Sequence, residues 1–229
     1  MRIHALTVCV NYEKELAQIA KNLAPGLASW WIVTDEPSAQ RVSVIAMQAG
    51  LDANIPVSVL STDLFYADEA MFNKGRAMEY ARQRMDWEDW ILFVDADIEP
   101  EEGWHTKLGT LDPTILYGAA RFQMPEGMLI RGDGIGVGYW QLFHSSDPAL
   151  ETPPSEPLIE THWYHAGNYD NGFMARWPRQ QRRLLPIRLL HHGQRDNWCG
   201  KGNTHAFDEM MRERKRRGGW RHETIRREG

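Results

Sequence analysis

Two aspartates, Asp95 and Asp97, stand one residue apart at the end of the apolar run Trp90–Val94. An uninterrupted apolar run of this length predicts a strand that is buried on both faces. Open α/β sheets place their ligands at the carboxyl ends of the strands. Two carboxylates there are costly unless a positive charge lies between them, and a divalent cation would supply it. The alternative is a turn followed by a helix cap, since aspartate favours both.

The segments around this pair alternate between strand and helix patterns. Strands are predicted at residues 5–10, 30–34, 57–60 and 90–94, and helices at 12–23, from Pro37 onward and at 73–84. This alternation predicts an α/β protein with a mostly parallel central sheet flanked by helices. Further along, a helix is expected at Glu101–Glu102, and strands are expected at 115–122 and 137–143.

Length and composition indicate one sizeable domain within the 229 residues. The sequence contains no apolar run of about eighteen residues, so we expect no membrane insertion. The amino terminus lacks the pattern of a signal peptide. Of the two cysteines, Cys9 falls in a predicted core strand, which makes a disulfide framework improbable. These features together predict a cytoplasmic protein.

The charge is distributed unevenly along the chain. Residues 1–175 carry 11 Lys and Arg against 25 Asp and Glu, whereas residues 176–229 carry 15 against 6. A basic terminal quarter of this kind is typical of contact with a polyanion, such as nucleic acid or a nucleotide diphosphate. The alternative is a solvated helix, predicted here at 205–217, followed by a frayed tail.

Three short motifs occur in a fixed order along the chain: Asn73-Lys74-Gly75, then Asp95-Ala96-Asp97, then His191-His192-Gly193. Taken together, they resemble glycosyltransferases of the GT-A fold, in particular the family-2-like group with its Asp-x-Asp motif, and a phage-type enzyme is one variant of this interpretation. The resemblance covers about residues 5–205. It implies a Rossmann-like sheet in a single domain, 1–229. Residues 1–110 would bind the nucleotide sugar, 111–204 would form the acceptor side, and 205–229 would be a basic helical tail.

The resemblance also implies a metal site. Asp97 would ligate the cation, and Asp95 would orient the donor. A late histidine would be the second protein ligand, and His191 and His192 are both candidates because successive strand residues face opposite sides. An imidazole beside carboxylates favours Mn²⁺ over Mg²⁺, which prefers oxygen ligands and retained waters.

Further donor contacts are implied at the ends of the predicted strands and near the helix start. They are Asn11, Tyr12, Asp35, Asn73, Lys74 and Lys201. A helix amino terminus attracts anions, and a lysine there adds a point charge suited to a diphosphate. Tyr12 could stack on a base. Each of these residues could instead be a turn residue, a helix cap or a solvated side chain.

An inverting transferase also needs a carboxylate that removes the proton from the acceptor hydroxyl. Related enzymes place an acidic residue at a helix start, and Asp170 stands at such a position here. Asp170 is therefore the candidate catalytic base, with Glu160 and Asp133 in reserve. A plain N-cap is the alternative role for Asp170.

The sequence thus predicts a metal-dependent glycosyltransferase that moves a sugar from a nucleotide-diphosphate donor, preferably a UDP-sugar, to an acceptor hydroxyl by an inverting mechanism. The acceptor is open, with modified DNA as one candidate beside a saccharide or a protein. A nucleotidyltransferase of similar fold is an alternative, although the Val10–Lys14 segment lacks the glycine-rich loop expected there. A non-catalytic nucleic-acid-binding protein that uses residues 176–229 is another alternative.

Overall fold

One mixed sheet organises the chain in the computed structural model, which describes residues 1–125, 127–131, 138–153, 156–162, 166 and 169–193. Within these ranges the sheet has nine strands. Four α-helices and several short 3-10 turns connect the strands in the described segments.

The strands are β1 (Ile3–Val8), β2 (Ser29–Thr34), β3 (Val57–Ser61), β4 (Trp90–Val94), β5 (Ile98–Pro100), β6 (Leu116–Gln123), β7 (Met128–Arg131), β8 (Trp140–His144) and β9 (Arg182–His191). The α-helices are α1 (Glu13–Leu23), α2 (Glu36–Ala53), α3 (Lys74–Arg82) and α4 (Tyr169–Met174).

The strand order brings several chain segments to one edge. It reads β3-β2-β1-β4-β8-β6-β9-β5, with β7 paired to β6. Strands β3, β2, β1 and β4 are mutually parallel. Strand β8 is antiparallel to both β4 and β6, and β9 is parallel to β6. Strands β4, β6 and β9 therefore all run in one direction, and their carboxyl ends lie at the same edge of the sheet.

Helices cover both faces of the parallel half. Alternate residues of β1 enter two different cores, with Ala5 in one and Leu6 in the other. Helix α1 buries Leu16 and Ile19 against the first core, whereas α3 packs on the second. The strand Trp90–Val94 is buried along its whole length between β1 and β8. The predicted α/β class and the burial of this strand are confirmed.

The segment after Asp97 differs from the sequence prediction. The helix expected at Glu101–Glu102 is wrong, because Gly103 has a positive φ of 67° and only the single 3-10 turn Trp104–Lys107 follows it. Glu101 is instead fixed by β9, since its N–H donates to Arg188 O at 3.0 Å. The neighbouring strand β5 was not predicted from the sequence. It forms because β9 offers it an antiparallel partner.

The other predicted boundaries agree with the structure to within about three residues where they can be compared. The strand expected at 137–143 begins at Trp140 in the described part of the chain. The helix expected at 205–217 lies outside the described residues. None of the helices in the described ranges has the length and apolar character needed to cross a membrane.

Replacing Leu92, which is fully buried in β4, tests the importance of this strand. Leu92→Ala is expected to lower the free energy of unfolding by about 3 kcal/mol, because it leaves a cavity in a packed core. Leu51→Ala is the matched control: Leu51 is 70% exposed on α2, and its loss should change stability by less than about 0.5 kcal/mol. Urea unfolding measures both, and equal effects would contradict the burial of β4.

Candidate active site

Asp95 and Asp97 lie in the turn that connects β4 to β5. The N–H of Asp95 donates to Tyr139 O at 3.2 Å, and the N–H of Ile98 donates to Asp95 O at 3.2 Å. The turn suggested by the sequence is therefore present. It does not exclude a binding role, because both carboxylates make contacts with polar groups from other elements at the same edge of the sheet.

Asn73 and Lys74 begin helix α3 beside this turn. The Asn73 side chain caps the helix by accepting from Arg76 N at 2.9 Å, and its amide donates to Thr161 O at 2.7 Å. The Lys74 ammonium forms an ion pair with Asp95 Oδ1. It also lies 5.0 Å from the centroid of the Tyr169 ring. The cap thus fixes the helix start, and the helix start places the ammonium against the first aspartate.

The electrostatics of this pair show an excess of negative charge. Burial tends to lower the pKa of Lys74, but the Asp95 carboxylate outweighs this and raises it, so the amine remains an ammonium. Burial raises the pKa of Asp95. Lys74 opposes that shift, whereas the Asp97 carboxylate adds to it. The Lys74 ammonium therefore offsets part of the negative charge that the Asp97 and Asp170 carboxylates bring close to Asp95.

Asp97 pairs with His191 at the end of β9. Its Oδ2 lies 3.1 Å from His191 Nε2, and each side chain is only 12% exposed. The other ring nitrogen, Nδ1, lies 2.7 Å from Gln123 Oε1. Gly193 packs against this pair: a Cβ atom there would lie 2.8 Å from Asp97 Cγ and 3.1 Å from His191 Nε2. Only glycine leaves the carboxylate and the ring where they are.

His192 faces a different set of groups, as expected for successive residues of an extended chain. Its Nε2 lies 2.6 Å from Glu99 Oε2, and Gln18 Nε2 lies 3.1 Å from its Nδ1. Glu99 Oε1 also accepts from Asn22 at 2.6 Å. The backbone N–H of His192 donates to Asp97 O at 2.9 Å. The His192 side chain therefore links β9 to α1 and β5, whereas the His191 ring contacts the Asp97 carboxylate.

Asp170 lies in the first turn of α4, as the sequence predicts. Its Oδ2 accepts from Gly138 N at 3.2 Å. Its Oδ1 is buried and has no hydrogen-bond partner among the described residues. The charge of Asp170 contributes to the raised pKa of Asp95, which places the two carboxylates in one electrostatic environment. Asp170 therefore belongs to the same cluster, with one oxygen atom uncommitted within the described part of the chain.

The reserve acids are placed less centrally. The Glu160 carboxyl group packs against Gly172, and its backbone carbonyl packs against Gly75 at the start of α3. Its Oε2 lies 3.9 Å from His162 Nε2. Asp133 lies outside the described residues.

Asp35 sits at the end of β2, where the resemblance placed a nucleotide contact. It is 3% exposed and caps α2, with Oδ1 accepting from Ser38 N at 3.1 Å and Oδ2 accepting from Tyr66 OH at 3.0 Å. Burial, followed by the Asp35 charge, raises the pKa of Tyr66, so the phenol keeps the proton that it donates. Both oxygens of Asp35 are thus engaged within the chain.

The remaining donor candidates divide into two groups. Asn11 and Tyr12 follow β1 at the same edge of the sheet, with Asn11 at a positive φ of 59° and Tyr12 directly before α1. Tyr12 is half-buried and packs against the core. Lys201 lies outside the described residues.

Gln123 is a site residue that the sequence did not reveal. It ends β6 and contacts His191, but a single glutamine carries no chemical signal comparable to paired aspartates. Its position as the first polar residue after the predicted strand 115–122 is the one available hint.

Among the described residues, no group of three or more His, Cys, Asp or Glu side chains is arranged to hold a metal ion.

Comparisons with known proteins identify no family. No family model matches the sequence, and no curated protein matches it. Similar solved structures include the galactosyltransferase LgtC in complex with donor and acceptor sugar analogues, at 13% identity and a TM-score of 0.47, covering 92% of this chain and 95% of that one. A mutant of the Drosophila β-1,4-galactosyltransferase 7 in complex with manganese, UDP-Gal and xylobiose has 14% identity and a TM-score of 0.46, covering 90% of this chain and 74% of that one.

A nucleotidyltransferase is similar to the same degree. The inositol-1-phosphate CTP transferase from T. maritima has 7% identity and a TM-score of 0.47, covering 95% of this chain and 98% of that one. Similarities at these identities and scores assign no activity to this chain.

A double-mutant cycle tests the ion pair between Lys74 and Asp95. Lys74→Met should destabilise the protein because it leaves a carboxylate without its partner, and Asp95→Asn should relieve much of that loss. We expect a coupling energy of about 1 to 3 kcal/mol from urea unfolding. The exposed pair Arg2–Glu88, at 3.8 Å, is the control, with an expected coupling below about 1 kcal/mol. Equal coupling in the two pairs would contradict the burial of the Lys74 contact.

Proposed function

We propose that this protein is a metal-dependent glycosyltransferase that uses a nucleotide-diphosphate sugar. The observation that carries the proposal is the pairing of Asp97 Oδ2 with His191 Nε2 beside the Lys74–Asp95 pair, at the carboxyl edge of the parallel strands. Open α/β sheets bind their ligands at such edges. A diphosphate together with a cation satisfies both the ammonium and the surplus carboxylates.

The residues present fit a divalent cation. Asp97 and His191 supply one oxygen and one nitrogen ligand, a set that favours Mn²⁺ and also admits Mg²⁺. Two protein ligands suffice where substrate phosphates complete the coordination, as is usual for cations bound together with nucleotides. A cation held there would offset the charge that develops on the departing nucleoside diphosphate. His192 would support this site through its bond to Glu99 rather than as a ligand.

The donor would lie between β1, β4 and α3. Lys74, held at the helix start by the Asn73 cap, would face the diphosphate, and Asp95 would orient the sugar or the ribose. Asn11 and Tyr12 would form the wall beside the base. Asp35 would shape the pocket through its bonds to Ser38 and Tyr66, and Lys201 would reach the diphosphate. A UDP-sugar remains the preferred donor.

The transfer itself would need one base. Asp170 would accept the proton of the acceptor hydroxyl on Oδ1, which has no hydrogen-bond partner among the described residues, as the hydroxyl oxygen attacks the anomeric carbon. The bond between that carbon and the diphosphate oxygen would break, and the electron pair would leave with the diphosphate. A single displacement of this kind inverts the anomeric centre, through an oxocarbenium-like transition state.

The acceptor would be an alcohol of a saccharide, a protein or a modified DNA base. The 15 Lys and Arg residues of 176–229 support an anionic acceptor such as DNA. In this proposal residues 1–229 form one domain, in which 1–110 bind the donor, 111–204 contact the acceptor and 205–229 are a basic tail.

Replacing Asp97 tests the metal site. In a thermal-unfolding screen with UDP, GDP and CDP, each with and without Mn²⁺, one combination of nucleotide and metal should stabilise the wild type by about 2.7 kcal/mol at about 100 times its Kd. Asp97→Asn should lose this stabilisation and all metal-dependent turnover, because it removes an anionic ligand. Asp52→Asn, on the exposed face of α2, is the matched control and should behave as wild type.

Either of two results would contradict the metal site. One is nucleotide stabilisation that needs no Mn²⁺, and the other is stabilisation that survives Asp97→Asn unchanged. Binding of nucleic acid without nucleotide or metal, together with no turnover, would instead favour a non-catalytic protein.

Replacing Asp170 tests the base. Asp170→Asn should lower kcat by about 10²- to 10⁴-fold, because an amide cannot accept the acceptor proton. The stabilisation by nucleotide and Mn²⁺ should remain, since Asp170 is not a proposed metal ligand. Glu160→Gln is the comparison variant in the same donor-consumption assay. A loss of rate in Glu160→Gln, with Asp170→Asn unaffected, would move the base to Glu160.

A further inference from the structure

Gln123 and His191 lie side by side at the ends of adjacent strands. In the parallel pairing of β6 with β9, Gln123 is the Cα partner of His191. The pairing places the amide next to the imidazole, and Gln123 Oε1 lies 2.7 Å from His191 Nδ1. This contact is on the side of the ring opposite the Asp97 carboxylate.

The orientation of the Gln123 amide is fixed by its other contacts. Its Nε2 faces three backbone carbonyl oxygens, those of Met124 at 3.2 Å and of His191 and Gly193 at 3.3 Å each. Carbonyl oxygens only accept hydrogen bonds, so the nitrogen of the amide must be the atom that faces them. A flipped amide would put its oxygen against all three. Oε1 is therefore the atom next to the histidine.

The amide orientation determines which histidine nitrogen carries the proton. Because Oε1 can only accept, His191 Nδ1 must be the N–H donor. In the neutral ring Nε2 is then unprotonated, and its lone pair points to Asp97 Oδ2 at 3.1 Å. A neutral ring of this tautomer leaves two acceptors 3.1 Å apart, and a cation bound to both atoms would offset their repulsion. Metal-binding histidines commonly donate their other N–H to a fixed oxygen in this way.

We infer that Gln123 is a positioning residue that holds His191 in the Nδ1–H tautomer and so presents Nε2 to the metal. This inference rests on the proposed function, because it concerns the same Asp97–His191 pair. Gln123 itself touches neither metal nor substrate in this assignment. Its removal should therefore weaken cation binding through the orientation and tautomer of the ring.

Two variants separate tautomer control from plain packing. Gln123→Leu keeps a side chain of similar size but removes the acceptor for Nδ1–H. Gln123→Glu retains an acceptor oxygen while losing the donors to the three carbonyls. Gln180→Leu, at an exposed glutamine in the described part of the chain, is the matched control.

The first readout needs no metal. NMR of isotope-labelled histidine nitrogens in the full chain should show wild-type His191 as the Nδ1–H tautomer, with its signal identified by its loss in His191→Asn. Gln123→Leu should shift the ring toward the Nε2–H tautomer, in which Nε2–H donates to Asp97. Gln123→Glu should restore Nδ1–H. A wild-type ring in the Nε2–H form, or a tautomer unchanged in Gln123→Leu, overturns the inference.

The second readout is Mn²⁺ affinity in the presence of UDP, measured from free Mn²⁺ by electron paramagnetic resonance. Gln123→Leu should weaken binding by about 10- to 100-fold, and Gln180→Leu should not weaken it. Wild-type affinity in Gln123→Leu overturns the inference and leaves the proposed function standing. A wild-type protein that binds no Mn²⁺ contradicts the proposed function, and the tautomer measurement then decides separately whether Gln123 sets the ring.

Discussion

Strand β4 lies between β1 and β8, and packed side chains cover both of its faces. Polar side chains can therefore be accommodated beyond the end of this strand but not within it. The carboxylates of Asp95 and Asp97 emerge at that point. Strands β1, β6 and β9 run in the same direction as β4, so their carboxyl ends lie at the same edge of the sheet. Polar residues follow or end each of these strands there. The placement of the candidate site is thus a consequence of burying five apolar residues in the middle of the sheet.

The assembled site holds one ammonium group close to three carboxyl groups. Lys74 is the ammonium that pairs with Asp95, and it is held by a helix whose start is fixed by the Asn73 cap. The carboxylates of Asp97 and Asp170 add negative charge that this ammonium does not neutralise. Burial magnifies the imbalance, because charges that are withdrawn from water are screened less. Under the proposed function, a ligand that carries both a cation and phosphate groups would complement both parts of this environment.

Local sequence predicted those parts of the site that depend on local chemistry. An apolar strand followed by two carboxylates, and a helix that starts at Asn73-Lys74, are visible without knowledge of the fold, and both are present. The sequence could not decide whether His191 or His192 lies beside Asp97. Which side of the sheet a strand residue faces depends on the neighbouring strands, and β5 was not predicted. Gln123 could not be found either, since its contacts depend on the register between β6 and β9. Asp35 shows the converse: a strand-end position was correctly foreseen, but a phenol from a distant turn engages its second oxygen.

Strand β9 inserts between β6 and β5, which both precede it in the chain. Until β9 arrives, β5 has no neighbour in the sheet, and the turn that carries Asp97 is anchored on one side alone. The contacts that complete the cluster join residues about 70 to 100 positions apart, and contacts of such long range carry a large loop-closure cost. A partly folded chain therefore has the aspartates but lacks the imidazole beside them. The pairing of Asp97 with His191 at this edge therefore depends on the finished sheet.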